Sequence, residues 1–215
     1  MRNSYKVISF DMNGTLTQDH FVELVWGHGI PKLFAEACNM PLHEAKAHVF
    51  REYDKVGENR VEWYDIKYWF DVLGLGSDWR TMLESFQHAA SPFPDAQHVL
   101  RLLHNHFDLV VTSNAPAEFI DIELGAGSLR RYFRAVFSCT SDFGEVKKTP
   151  DVYRRVCDAL GLTPEEIVHV GDHPKFDYEA PRALGIRSYY LDRKGKHRGE
   201  AVVHNLLEFY DRLNS

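Results

Sequence analysis

From Ser91 onward the chain alternates between short apolar runs rich in β-branched and aromatic residues and longer stretches with apolar residues at helical spacing. FDLVVTSN, AVFSCT, EIVHVGD and SYYLD read as strands. PFPDAQHVLRLLHNH, residues 116–124, a looser stretch at 128–132, residues 150–160 and residues 178–184 read as helices. A last helix carries Val203, Leu206, Leu207, Tyr210 and Leu213 on one face. A further strand, Val7 to Phe10, stands near the N-terminus. Strands joined by helical crossovers run parallel, and a parallel sheet needs cover on both faces. The alternation therefore predicts an α/β fold built on a doubly wound parallel sheet.

Between residues 18 and 90 no strand signal appears. Phe21, Leu24 and Val25, then Leu33, Phe34 and Ala37, recur at helical spacing, and Ala45, Val49, Phe50 and Tyr53 share a second helical face. Trp63 to Leu73 predicts one aromatic-rich helix closed by Gly74 and Gly76, and Ser77 or Asp78 caps another with Met82, Leu83 and Phe86 inward. The expected organisation is a Rossmann-like core, residues 1–17 and 91–215, with an α-helical cap domain inserted at 18–90. The 215 residues suffice for one such core and its insertion.

Composition removes several function classes. With a net charge of -6 and no long basic block, no nucleic-acid partner is expected, because phosphate-backbone binding needs a clustered positive face. No apolar run of about 18 residues is present to span a membrane, and MRNSYK is not a signal peptide, so the expected location is cytoplasmic. Cys38, Cys139 and Cys157 are odd in number and form no CxxC, which points to free buried thiols rather than a disulfide framework. The 12 histidines, among them His43, His48, His104 and His106, lack metal-ligand spacing.

Ligands of doubly wound sheets bind beyond the carboxyl ends of the strands. The residues that carry chemistry fall there: Asp11 after the first strand, Ser113 after the second, Lys147 beyond the third and Asp172 after the fourth. Asp11 is a carboxylate delivered by a buried strand to a loop that breaks at Gly14. Two residues on, where a second acid would serve proton transfer, stands Asn13.

Four segments, DMNGT, VVTSN, KKTPDVY and GDHPKFD, follow one another at strand or helix junctions, and together they resemble the motifs of the haloacid dehalogenase-like hydrolase superfamily. The resemblance covers nearly the whole chain. It implies a Mg²⁺-dependent phosphohydrolase in which Asp11 is the nucleophile, splitting one hard displacement into two through an aspartyl-phosphate. It implies that Asp172, Asp11 and the backbone carbonyl of Asn13 hold Mg²⁺, with Asp177 binding the metal directly or orienting Asp172. Lys147 would face the phosphoryl oxygens and the crowded carboxylates; Lys148 is its rival, set aside because Lys147 keeps the family's distance to Pro150 and Tyr153. Ser113 would hold a phosphoryl oxygen, with Thr112 as the alternative and Asn114 also within reach. His173, next to Asp172, is expected at the substrate.

Asn13 departs from the family pattern, since a carboxamide neither gives nor takes a proton near neutral pH. Three readings stay open: an engineered Asp-to-Asn change, a natural enzyme in which His20, His173 or the substrate supplies the proton, or a non-catalytic module that binds a phosphorylated ligand. Metal-independent dehalogenases of the superfamily also lack an acid there, but the carboxylates of GDHPKFD favour a metal. The expected partner is a small phosphorylated metabolite, and the chain is expected to be a monomer or homodimer. Substrate choice would rest on cap residues among His20, Trp26, His28, Arg51, Arg60, Trp63 and Lys67.

Overall fold

Val7, Ile8, Ser9 and Phe10 form a strand, β1, in which every residue is buried. Burial follows from its place: β2 (Asp108–Ser113) pairs with it on one edge and β4 (Ile167–Gly171) on the other, both in parallel. In the computed structural model, which describes residues 5–214, six parallel strands form one sheet in the order β3-β2-β1-β4-β5-β6. The outer strands are β3 (Phe133–Ser138), β5 (Arg187–Leu191) and the two-residue β6 (Val202–Val203). The strand order reverses beside β1, so the crevice of this sheet opens at the carboxyl end of β1.

Side chains alternate across a strand, and the two faces of β1 differ accordingly. Ile8 and Phe10 enter the larger core, with Ala96, Val99, Leu100 and Leu103 of α6 (Pro94–Leu103) and Leu206, Phe209 and Leu213 of α11 (Leu206–Leu213). Val7 enters a second cluster with Val110, Ile167, and Tyr153 and Cys157 of α9 (Pro150–Leu160). Helix α9 starts where Thr149 accepts the Val152 N–H at 3.4 Å and Pro150 takes the first turn, and it stops at Gly161 in the left-handed region. Each fully buried aliphatic side chain of this kind stabilises the fold by roughly 1.5–3 kcal/mol.

Residues 20–89 are helical throughout their regular elements: α1 (His20–Leu24), a π turn, α2 (Ile30–Ala37), α3 (Leu42–Val56), α4 (Ile66–Val72) and α5 (Trp79–Ser85), with 3₁₀ turns at Val61–Tyr64 and Gln87–Ala89. They enclose their own apolar cluster, centred on Phe21, Val25, Val49, Tyr53, Trp69 and Phe70. Phe119 of α7 (Ala117–Ala126) joins that cluster from the sheet side. The chain leaves for this layer and returns from it side by side: Gln18 N–H donates to Ser91 O at 3.0 Å and Phe93 N–H to Leu16 O at 2.9 Å.

Several expected elements differ in detail. The single aromatic helix over 63–73 is a 3₁₀ turn and then α4, because Asp65 caps α4 by accepting the Lys67 N–H at 2.9 Å. Val203 lies in β6 rather than on the last helix, since Asn205 caps α11 by accepting the Glu208 N–H at 2.9 Å. Cys139 and Thr140 do not extend β3 but open α8 (Cys139–Phe143), capped by Ser138. The stretch 178–184 divides into a π turn, Pro174–Glu179, and α10 (Ala180–Leu184). Cys139 and Cys157 are buried free thiols, whereas Cys38 is at the surface. Among the described residues no helix is long and apolar enough to cross a membrane.

Candidate active site

Asp11 follows β1 directly, and its backbone N–H still donates to Val170 O of β4 at 3.0 Å. The carboxylate is therefore fixed at the sheet's carboxyl edge with the precision of the ladder. One oxygen forms an ion pair with the Lys148 ammonium, and the other accepts a long hydrogen bond from the Thr15 hydroxyl at 3.3 Å. Ligand oxygens of Asp11, Asp172 and Asp177 lie within 4.8 Å of one another. The chain turns tightly to allow this. Gly14 has φ +76°, and a Cβ there would sit 2.2 Å from Asp172 Oδ2; a Cβ on Gly171 would sit 2.4 Å from Asp177 Cγ.

The ammonium against Asp11 belongs to Lys148 and not to Lys147, which corrects the sequence expectation. Lys148 is 1% exposed and lies between Asp11 and Asp177, with its third N–H donated to Thr112 O at 3.2 Å. Its backbone N–H donates to Asn114 Oδ1 at 2.8 Å, which sets the register of the loop. Lys147, the neighbour, points the other way and donates to the Tyr64 hydroxyl at 2.8 Å, bridging core and helical layer. A loop has no side-chain period, so nothing in the string KKTP told which lysine turned inward.

Asp177 has both oxygens engaged. One meets Lys148 and accepts the His169 Nε2–H at 3.1 Å, and the other accepts the His173 N–H at 3.0 Å. Behind it a polar string crosses three strands under one face of the sheet: Ser9 Oγ is 2.9 Å from Thr112 Oγ1 and 2.9 Å from His169 Nδ1. Tyr153 closes the string from α9, its hydroxyl 3.0 Å from His169 Nε2. Ser9, Thr112 and His169 occupy the same parity on adjacent strands, a signal available in the sequence once the strands are aligned.

Charge is unbalanced here, with three carboxylates against one ammonium. Burial pushes the Asp11 carboxyl up to about 8; Asp177 and Asp172 add to the rise and Lys148 opposes it. Asp172, at the exposed mouth, is raised to about 6 by partial burial and then by Asp177. Burial would raise Asp177 too, but the Lys148 charge and the His169 hydrogen bond hold it well below the ordinary carboxylate range. Lys148 is desolvated yet stays above its ordinary value because Asp11 and Asp177 surround it. Burial keeps His169 neutral by lowering its pKa. A hard oxygen donor set with excess negative charge fits a divalent cation such as Mg²⁺. Asp11 and Asp172 have lone pairs to give it, while those of Asp177 are largely taken by protein donors.

The remaining expected residues divide. Ser113 is 2% exposed and accepts the Ala115 N–H at 3.1 Å, so its own O–H stays available. Asn114 presents its amide beside the Lys148 backbone, whereas the Thr112 side chain turns back into the sheet and only its carbonyl meets Lys148. His173 acts locally: its Nδ1 accepts the Lys175 and Phe176 N–H groups at 3.2 and 3.3 Å, and its ring stacks on Phe176. Of the seven cap candidates, Trp26 stacks on Phe119 and packs near Trp63, Arg60 pairs with Glu62, and His28 meets the edge of Phe86. Arg51 and His20 are exposed. Lys67 forms an ion pair with Glu118 across the gap to the core.

Besides Ser9 and His169, two more residues were not singled out from the sequence. Arg193 lies over Phe93, holds Asp95 through two contacts at 3.0 and 3.1 Å, and donates to the carbonyls of Gly14 and Thr15 at 3.1 and 2.7 Å, pinning the loop after Asp11. Glu123 of α7 is fully buried and accepts from Asn13 Nδ2 at 2.7 Å and from the Thr17 hydroxyl at 2.9 Å. Its place on the inward stripe with Phe119, Ile120 and Leu124 was the available signal. One cavity borders the carboxylates and another opens between the helical layer and the core. The first, about 340 Å³, has Gly14, Asp19, Asp172, Tyr190 and Arg193 in its wall. The other, about 310 Å³, lies between Val61, Tyr64 and Lys67 of the helical layer and Pro116, Glu118, Thr140 and Ser141 of the core.

Comparison with known proteins agrees with this geometry. The chain is 36% identical over 85 residues to haloacid dehalogenase-like hydrolase domain-containing protein 3 of Danio rerio, covering 39% of this chain and 34% of that protein. It is 31% identical over 111 residues to a phosphoglycolate phosphatase of Aliivibrio fischeri, covering 51% of this chain and 48% of that one, so it spans no more than about half the length of these relatives. The fold matches that of a HAD phosphatase from Thermococcus onnurineus with a TM-score of 0.80 at 21% identity, covering 97% of both chains. The family model for haloacid dehalogenase-like hydrolases matches residues 5–185. With the parallel sheet and the carboxylates at its edge, that match makes the chain a member of the haloacid dehalogenase-like hydrolase family.

Proposed function

We propose that the chain hydrolyses a small phosphomonoester through an aspartyl-phosphate on Asp11, with Mg²⁺ at the carboxylate cluster. The observation that carries this reading is the state of Asp11: a strand-end carboxylate, one oxygen fixed by Lys148 and the other held only by a 3.3 Å contact to Thr15. The weakly held oxygen is the attacking atom, and the ladder bond to Val170 keeps it in place. Lys148 favours the ionised form of Asp11 and stabilises charge on the phosphoryl group.

Asp11, Asp172 and the backbone carbonyl of Asn13 would hold the ion, and Asp177 orients Lys148 and the loop at His173 from behind. When bound, Mg²⁺ neutralises the carboxylates and polarises the phosphoryl oxygens. Ser113 O–H and the Asn114 amide donate to those oxygens. The helical layer acts as the cap, and the cavity beneath Tyr64 takes the organic part of a small phosphorylated metabolite, excluding bulk water when the layer closes.

The test is phosphate release from a panel of small phosphate esters with Mg²⁺, with chelator, and with Asp11→Asn. Release that stops in the last two conditions supports the reading. Halide release from 2-haloacids that persists with chelator, with no phosphate release, overturns it.

A further inference from the structure

Asn13, itself partly buried, is the matched partner of the buried Glu123. Its Nδ2 donates to Glu123 Oε1 at 2.7 Å, the Thr17 hydroxyl donates to the same oxygen, and Glu123 Oε2 has no partner among the described residues. An amide donor suits that oxygen, which also accepts from Thr17; an acid at residue 13 would put a second carboxyl group in place of the donor. Helix α7 thus holds at residue 13 a group that exchanges no proton near neutrality.

Of the other polar groups around Asp11, the Ser113 O–H and the Asn114 amide are donors too weakly acidic to give up a proton, Asp172 is one of the carboxylates assigned to the ion, and the rest are engaged elsewhere. The three N–H bonds of Lys148 go to Asp11, Asp177 and Thr112 O. Thr15 O–H goes to Asp11, and Lys147 donates to Tyr64. His173 Nδ1 is an acceptor for its own turn. With Asp172 given to the ion, the strand end offers a nucleophile and fixed positive charge, and among the described residues no further acid at residue 13 to meet the departing oxygen.

Resting on the reading of Asp11 as nucleophile, we propose that this site selects phosphoryl donors whose leaving group departs as a stable anion, namely aryl, enol and acyl phosphates, over esters of ordinary alcohols. An Asp11 oxygen forms the new bond to phosphorus, the bond from phosphorus to the leaving oxygen breaks, and its electron pair stays on the phenolate, enolate or carboxylate, with no proton transferred. Water then attacks the phosphorus of the aspartyl-phosphate, Asp11 leaves as a carboxylate, and the protons of water end on inorganic phosphate or in solvent. An alkoxide has no such stabilisation, so alkyl esters suffer the whole loss of the missing acid, about 10²- to 10⁴-fold.

The experiment compares kcat/KM, with Mg²⁺, for p-nitrophenyl, phenyl and benzyl phosphate; phenyl and benzyl esters are close in size but differ in leaving-group acidity. The unmodified chain is expected to disfavour the benzyl ester steeply, and Asn13→Asp to narrow the ratio by about tenfold or more, chiefly by raising the benzyl rate. Because Asp at 13 would face Glu123, the double change Asn13→Asp with Glu123→Gln is measured beside it. Equal turnover of benzyl and p-nitrophenyl esters by the unmodified chain, or a ratio that neither variant moves, overturns the leaving-group inference alone. No turnover of any ester and no covalent phosphoryl adduct by intact mass overturns the reading of Asp11 and this inference together.

Discussion

Replacing Lys148 by Met removes the one cation between two buried carboxylates and keeps the side-chain volume. Lys148 is 1% exposed and pairs with both Asp11 and Asp177, so its loss leaves uncompensated buried charge. Breaking a buried pair in this way costs about 3–5 kcal/mol. For a chain of this size each kcal/mol lowers the melting temperature by about 2–4 °C, so a fall of roughly 6–20 °C is expected. Lys147→Met is the control. That residue gives up one 2.8 Å hydrogen bond to Tyr64, about 0.5–1.5 kcal/mol, or roughly 1–6 °C. The gap for Lys148→Met also depends on pH. Lys148 holds Asp177 below its ordinary value of 3.8, so in the unmodified chain this carboxylate adds stability above that value and loses it only as pH falls through the lowered pKa. Without Lys148 both carboxyls rise and take up protons before the unfolded chain does, so acidification relieves the variant. Urea unfolding of the three chains at pH 7.5 and pH 5 is therefore expected to show a smaller Lys148→Met deficit at pH 5. Equal deficits for the two lysine variants, or a Lys148→Met deficit that does not change with pH, refute the assignment of Lys148.

Glu123→Gln is expected to remove a pH dependence of stability. Burial holds Glu123 up to about 8, so its contribution in the unmodified chain is greatest below the ordinary value of 4.5 and falls as pH rises toward 8, by up to about 4–5 kcal/mol. The variant should gain on the unmodified chain between pH 5 and pH 8 in urea unfolding; parallel stability curves would contradict it. Arg193→Met should cost about 2–3 kcal/mol through the loss of Asp95 and the two loop carbonyls, with turnover falling further than stability as Gly14 and Thr15 loosen. An unchanged melting temperature would show that the loop is held by other contacts.

Periodicity made the sheet legible, because β1, β2 and β4 are buried strands whose apolar runs end abruptly in polar or glycine residues, and the outer β3 and β5 still carry β-forming apolar residues. Asp11 and Asp172 were legible for the same reason, since parallel strands deliver their ends to one edge, whereas Asp177, in the turn after β4, was legible only through the resemblance of GDHPKFD to the family motif. What periodicity does not reach was misread. Lys148 against Lys147 is decided by the Asn114 side chain catching one backbone N–H. β6 is two residues long and exists only by pairing with β5, so Val203 read as helix. Glu123 lay hidden in a helical stripe where an acid reads as a break in the pattern rather than as a partner for Asn13.

The exit and return of the helical layer have an architectural consequence. Thr17 and Pro92 pair antiparallel, and Gln18 and Ser91 lie within one hydrogen bond of each other, so the sheet meets the layer as it would meet a hairpin loop. The larger apolar cluster of the sheet draws on nothing between Leu16 and Phe93, and the layer's cluster borrows only Phe119 and Ile122 from α7. A tight turn of about two to five residues could close the same ribbon. The layer is in this sense an interchangeable module: its sequence can change while the strand that carries Asp11 keeps its register.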